Sequence, residues 1–449
     1  MAYLINSGGL ETTGTSGADL FQVQSAAAKA TTLKGLDGSD TITVQDGAST
    51  ATSLLFDVAG GSDKLALSGG TYSASTLKGG AGGDTITFTG VTFGEGVLNG
   101  GGGDDTLTLL GGDFASSQIA LGDGADSATI SGTTLASSTL FFGAGSDELN
   151  LDYTDIQSAQ IYGGGGADSL IFSGLAASGA HALILGDSTV NGGGADTITF
   201  ENQVGTDSTI KGKGGADLIT ISSVAASARI EGNAGGDTIT LNAEIEGNGA
   251  FIGGGQGNDI ITMSGMSAAS ATIQGGGGAD SIDIGIDASG TTNFVFGGAG
   301  ADTLEMGGMG IKSGFIGVSA FTDSTLTTMD VWSAEGTASG FIVNFSAVNK
   351  TFVTGVIAAS DTGFTAESTD GLVTSADFSS AGTVTARAEL LDAAAGTKGS
   401  VIYFEASDVD YLFIQGGSSG TSDDMVVKIH TAVSAFTLAD YQVTVSAAD

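Results

Sequence analysis

One phrase recurs through the first two thirds of this chain: a glycine-rich turn delivers an aspartate, and a short alternating strand follows. It reads most plainly as Gly163-Gly164-Gly165-Gly166-Ala167-Asp168-Ser169-Leu170-Ile171 and again as Gly275-Gly276-Gly277-Gly278-Ala279-Asp280-Ser281-Ile282-Asp283. Fourteen copies place their aspartates at Asp19, Asp40, Asp63, Asp84, Asp105, Asp126, Asp147, Asp168, Asp196, Asp217, Asp237, Asp259, Asp280 and Asp302. Successive gaps are 20 to 23 residues, with one exception of 28 between Asp168 and Asp196. A period this regular predicts a solenoid, in which each unit is one coil that cannot bury its apolar face alone.

Counted from the aspartate, the second and fourth following residues are apolar almost throughout, as in Ile42 and Val44, Ile86 and Phe88, Leu107 and Leu109, or Ile219 and Ile221. The residue between them is mostly small or polar, so the spacing predicts a half-buried strand. A second apolar position lies seven residues before the aspartate: Leu33, Phe56, Leu77, Leu98, Ile119, Leu140, Ile161, Ile210, Ile230, Ile252, Ile273 and Val295. It opens another short strand ahead of the glycine turn. Small residues rich in Ala, Ser and Gly return the chain to the next coil. The expected fold class is all-β, a parallel β-solenoid with strands stacked about 4.8 Å apart.

Stacking decides what the aspartates need. In register, neighbouring carboxylates stand about 5 Å apart and repel by about 3 kcal/mol at an effective dielectric near 20. A row of fourteen requires cations between them, or protonation. Carboxylates and turn carbonyls are hard oxygen donors that suit the loose six to eight ligands of Ca²⁺ better than the rigid octahedron of Mg²⁺. All fourteen aspartates are therefore candidate metal ligands. The net charge of −38, from 50 acidic against 12 basic residues, points the same way. It argues against nucleic acid, which needs a basic face, and against anionic membrane surfaces.

The phrase resembles the G-G-x-G-x-D-x-U-x nonapeptide of the RTX, or hemolysin-type, calcium-binding repeat proteins. The best matches are 79–87, 100–108, 163–171, 275–283 and 297–305. The resemblance implies a parallel β-roll with Ca²⁺ held between adjacent turns by the Asp side chain and glycine-turn carbonyls. Tandem nonapeptides give ordinary members two metal turns per coil. Here one motif occurs per coil, so a single row of ions is expected on one edge, with an Ala/Ser/Thr-rich turn opposite. The turns at 15–19, 60–63 and 121–126 are degenerate.

Cysteine and proline are both absent, which excludes disulfides and thiolate metal sites. Residues 1–7 carry no basic segment and no long apolar run, so a cleavable signal peptide is not expected, and no apolar stretch is long enough for a transmembrane helix. The 28-residue gap predicts an insertion near 175–187, including His181. After about Gly310 the period stops; residues 311–449 hold the one Trp and ten of the 22 Phe. The expected division is a calcium-binding solenoid over 1–310 and a C-terminal β-rich cap or assembly domain over 311–449. Strands are expected at 401–404, 411–414, 425–429 and 441–445. The last 45 or so residues resemble the tail that follows RTX-type repeats, which implies an uncleaved type I secretion signal. Calcium-poor cytosol would leave the acidic repeats unfolded, and calcium outside would supply folding free energy.

No catalytic constellation stands out. There is no H-E-x-x-H, and Gly416-Gly417-Ser418-Ser419-Gly420 matches G-x-S-x-G without the strand-to-helix context that a nucleophile elbow needs. Arg229 is the one arginine of the repeats, too few for a carbohydrate-acting cleft. The expected protein is not an enzyme but an extracellular structural subunit at the cell surface. It assembles with itself into a surface layer or filament in a calcium-dependent way, with cell-surface glycan as a further partner. The alternative is an adhesin, or a bacteriophage virion fibre or decoration protein, on the same scaffold.

Overall fold

A computed structural model describes residues 1–5, 11–24, 32–45, 50–152, 155–174, 181–187, 193–243, 245–264, 270–285, 293–307, 314–317, 329–334, 341–344, 355–359, 364–369, 372–376, 383–395, 401–406, 409–415, 424–429, 433–439 and 442–447. The fold is all-β, a parallel solenoid of about twelve complete coils on a repeat near 21 residues, against fourteen copies of the motif. The chain divides into two compact units, Met1–Ala234 and Gly235–Asp449.

In the first unit each coil contributes one strand to each of two parallel sheets. The strands after the aspartates stack without slippage: Ile86, Leu107, Ala128, Leu149 and Leu170 form one column, and Phe88, Leu109, Ile130, Leu151 and Phe172 another. The strands before the glycine turns stack Leu77, Leu98, Ile119, Leu140, Ile161 and Ile184. All of these side chains are buried. The period of two makes this inevitable, since a one-residue slip would turn every apolar side chain to solvent. Phenylalanines stack within the core: Phe172 lies 4.3 Å from Phe200 in near-parallel planes, and Phe88, Phe93 and Phe114 form a triangle with centroids 5.7 Å apart.

The turn opposite the aspartates carries its own ladder, made by serines. Ser117 N–H donates to Ser138 Oγ at 3.1 Å, and the Ser138 hydroxyl donates to the Phe114 carbonyl. Leu54 N–H to Ser75 Oγ and Ala182 N–H to Ser208 Oγ repeat the first of these bonds at 3.1 Å. A neutral hydroxyl that both donates and accepts bridges coils with no charge, so this edge needs no counter-ion. Ser138→Ala removes both bonds between the coils while the Ser117 N–H keeps its 3.2 Å bond to the Phe114 carbonyl, a cost of about 1–2 kcal/mol for two hydrogen bonds. Thermal unfolding should register a fall of roughly 3–10 °C; an unchanged midpoint would remove the serine ladder as a stabilising element.

The register relocates the insertion expected near 175–187. Ile184 pairs with Ile161, and Asp196 stacks on Asp168. Ile161 precedes its aspartate by seven residues and Ile184 precedes its own by twelve, so five of the seven extra residues fall after Asp187, inside the glycine turn. His181 lies at the opposite turn, where its Nε2 is 3.6 Å from Asp207 Oδ2 in an exposed pair.

In the second unit the strands after Asp237, Asp259, Asp280 and Asp302 stack in the same way, as in Ile239, Ile261, Ile282 and Leu304. The coil stack does not stop at Gly310. Strand Asp330–Ala334 pairs in parallel with Thr303–Gly307, and Phe341–Asn344 with Gly314–Gly317. The C-terminal strands then take over both sheets: Met425–Ile429 pairs with Asp330–Ala334, and Gln442–Ala447 pairs antiparallel with Phe341–Asn344. Val401–Ala406 and Val409–Ile414 form a hairpin beside Met425–Ile429. A solenoid end is an open sheet edge, and these strands occupy it. One helix, Val384–Ala395, was not expected; it buries Ala388 and Leu391, and Thr383 caps it by accepting the Ala386 N–H at 3.2 Å. The G-x-S-x-G match and His430 lie outside the described residues.

Candidate metal ladder

All fourteen sequence-predicted aspartates are buried, none more than 3% exposed. Each bridges two coils. The backbone N–H of one aspartate donates to Oδ1 of the aspartate one coil on: Asp84 to Asp105, Asp105 to Asp126 and Asp126 to Asp147, each at 2.7 Å. The series runs from Asp19 to Asp217 in the first unit. In the second it runs from Asp237 through Asp259, Asp280 and Asp302 to Asp330. Asp330 is thus a further rung. No glycine phrase announces it, because residues 325–329 read Thr-Leu-Thr-Thr-Met; an aspartate opening an apolar strand was the one available signal.

Oδ1 is satisfied and Oδ2 is not. At Asp40, Asp63, Asp84, Asp105, Asp126, Asp147, Asp168, Asp196, Asp259 and Asp280 the Oδ2 atom is buried and has no hydrogen-bond partner. An unpaired buried carboxylate oxygen costs several kcal/mol, so something must meet it. The glycine turn shows where. A Cβ on Gly79 would fall on Asp84 Oδ2 and on the carbonyl oxygen of Gly100 in the next coil. Gly100, Gly163 and Gly275 repeat the arrangement with Asp105 and Leu121, Asp168 and Gly186, and Asp280 and Gly297. The missing side chain lets a carboxylate oxygen and a carbonyl oxygen approach the same backbone carbon. Both are hard donors, and a cation or a proton between them would satisfy both.

Burial holds these carboxyls well above the usual carboxylate range. Desolvation is the largest cause, and neighbouring rungs add to it. Asp63, Asp105, Asp168 and Asp280 rise to about 7, Asp147 to about 6 and Asp196 to about 8. The turns are not equivalent. In the degenerate turn before Asp19, Thr15 satisfies Oδ2 with its N–H at 2.6 Å and its hydroxyl at 3.0 Å. Before Asp63, Asp126 and Asp147 the glycine position holds a buried Val58, Leu121 or Phe142.

A regular turn brings together one unpaired carboxylate oxygen and one backbone carbonyl oxygen. It is not a ready-made cage: among the described residues, no three acidic, histidine or cysteine side chains come together to hold a metal. The motif did not reveal Asp187, which is fully buried in the enlarged turn. No family model matches the chain, and no curated protein matches it. No helix among the described residues is long and apolar enough to cross a membrane.

Proposed function

We propose that this protein is a calcium-dependent structural subunit of the cell exterior that assembles with its own copies into a surface layer or filament. The observation that carries the reading is the row of buried Oδ2 atoms facing turn carbonyls. A chain that devotes most of its described residues to stacked coils, and closes several of them with an oxygen pair that calcium would satisfy, suits a mechanical element. Asp84, Asp105, Asp168, Asp259 and Asp280 would hold the ions together with the carbonyls of adjacent turns. Bound calcium would neutralise the stacked carboxylates and convert their repulsion into cross-links between coils. In calcium-poor cytosol the row would remain charged and the coils unstacked, which fits export before folding. Release through a C-terminal type I signal belongs to the same reading.

Negative-stain electron microscopy of the purified full chain, with calcium and then with a chelator, tests this. Ordered sheets or filaments that vanish on chelation are expected. Dispersed particles at every calcium level would overturn self-assembly and favour an adhesin or a virion fibre.

A further inference from the structure

The geometry points to one cation site that differs in kind from the rest of the ladder, built by the two carboxylates of Asp187 and Asp196 with turn carbonyls, in the enlarged glycine turn. The inference deepens the calcium reading and rests on it for the choice of ion. In the five coils before this turn the strand carries glycine at the equivalent register: Gly80, Gly101, Gly122, Gly143 and Gly164 stack in turn. One coil further on, Gly164 stacks on Asp187. A carboxylate therefore stands where the five preceding coils carry glycine, and five additional residues follow it before Asp196.

Asp187 is wholly buried, and its Oδ1 has no hydrogen-bond partner. Its Oδ2 accepts from Gly214 N–H at 3.3 Å, and the Gly194 N–H also donates to the carboxylate. A Cβ on Gly193 would collide with the whole carboxylate, so the returning turn is shaped around it. Asp196 Oδ2 and Asp168 Oδ2 are also buried without partners, and Asp187 raises the charge cost at both. Turn carbonyls stand beside these oxygens: Gly212 beside Asp196 Oδ2, and Gly186 beside Asp168 Oδ2. A regular turn offers one unpaired carboxylate oxygen; this turn adds a second from Asp187. More ligand charge in a fixed site tightens calcium binding.

Equilibrium dialysis of the full chain against calcium, from nanomolar to millimolar, tests the site, with bound metal measured by atomic absorption. The wild type is expected to take up one ion about tenfold or more tightly than the others. Asp187→Asn should abolish that first step and spare the rest. Asp84→Asn, a regular rung, should leave it intact. Asp187→Gly restores the residue found at Gly164 and serves as a second variant, with far-ultraviolet circular dichroism confirming the fold. A tight step that persists without Asp187 overturns the proposal, and so does a wild type whose ions all bind alike; either result leaves the calcium row standing. One tight ion and no others, lost in Asp187→Asn, supports the site and overturns the row. Absence of bound calcium in the wild type overturns both.

Discussion

Replacing Gly143 by alanine is expected to destabilise the first unit by roughly 3 kcal/mol or more, the sum of a backbone clash and a left-handed φ forced on a side-chain residue. Gly143 has φ +115°, and an added Cβ would overlap the carbonyl oxygen of Gly122 and lie 2.7 Å from its carbonyl carbon. That carbonyl belongs to the coil below and is held in register by the strand pairing, so the neighbour cannot withdraw without breaking the stack. The midpoint of thermal unfolding should fall by on the order of 10 °C. Gly165 supplies the control. It lies in the adjacent turn, and an added Cβ there meets nothing within 4 Å. Gly165→Ala should be neutral, or slightly stabilising by restricting the unfolded chain. Equal effects at the two positions would mean that coil-to-coil contact through the glycine turn is not what limits stability.

The second large effect is on pH and calcium together. Without calcium, the folded carboxyls of Asp63, Asp105, Asp168 and Asp280 titrate at about 7 and Asp196 at about 8, raised by burial and by neighbouring rungs. In the unfolded chain aspartate titrates near 3.9. Between these values the folded chain holds protons that the unfolded chain has released, so stability falls as pH rises. The stabilising contribution is complete below about pH 4, declines through the interval, and is lost above about pH 8. Each tenfold difference in proton affinity between folded and unfolded chain is worth about 1.4 kcal/mol, so the rungs together should lower the unfolding midpoint by more than about 10 °C between pH 5 and 8 in chelator. Calcium binds the ionised form and reverses the preference. In millimolar calcium the midpoint at pH 8 should rise above its value in chelator, and acid should lower it by protonating the ligands. Differential scanning calorimetry over this grid separates the two ways of satisfying Oδ2. A decline with pH that calcium leaves untouched would show that protons, not calcium, occupy the ladder, and would remove the metal from the proposed function.

Much of this architecture is legible in the chain itself. The period of about 21 residues, the apolar positions on either side of the turn and the aspartate that ends it specify a coil, and stacking is the simplest way for identical coils to bury their faces. The C-terminal strands at 401–406, 409–414, 425–429 and 442–447 were legible for a related reason, since short apolar runs rich in β-branched and aromatic residues define strands wherever they lie.

Other features depend on where coils meet, and residue order alone does not show that. The sequence determined that a column of aspartates exists; the tertiary structure decided that Oδ1 accepts the preceding coil's N–H and Oδ2 is left bare. Register gave Ser138 a partner 21 residues back, which no local pattern distinguishes from the other small residues of that turn. The 28-residue gap was visible, but its division between the two turns was fixed by the pairing of Ile184 with Ile161, and that pairing is what places Asp187 beside the ladder. Asp330 joined the row 28 residues after Asp302 because its strand had an open sheet edge to complete. Local chemistry sets the coil; the hydrogen-bonding demand of the neighbouring coil sets which atoms remain available for a ligand.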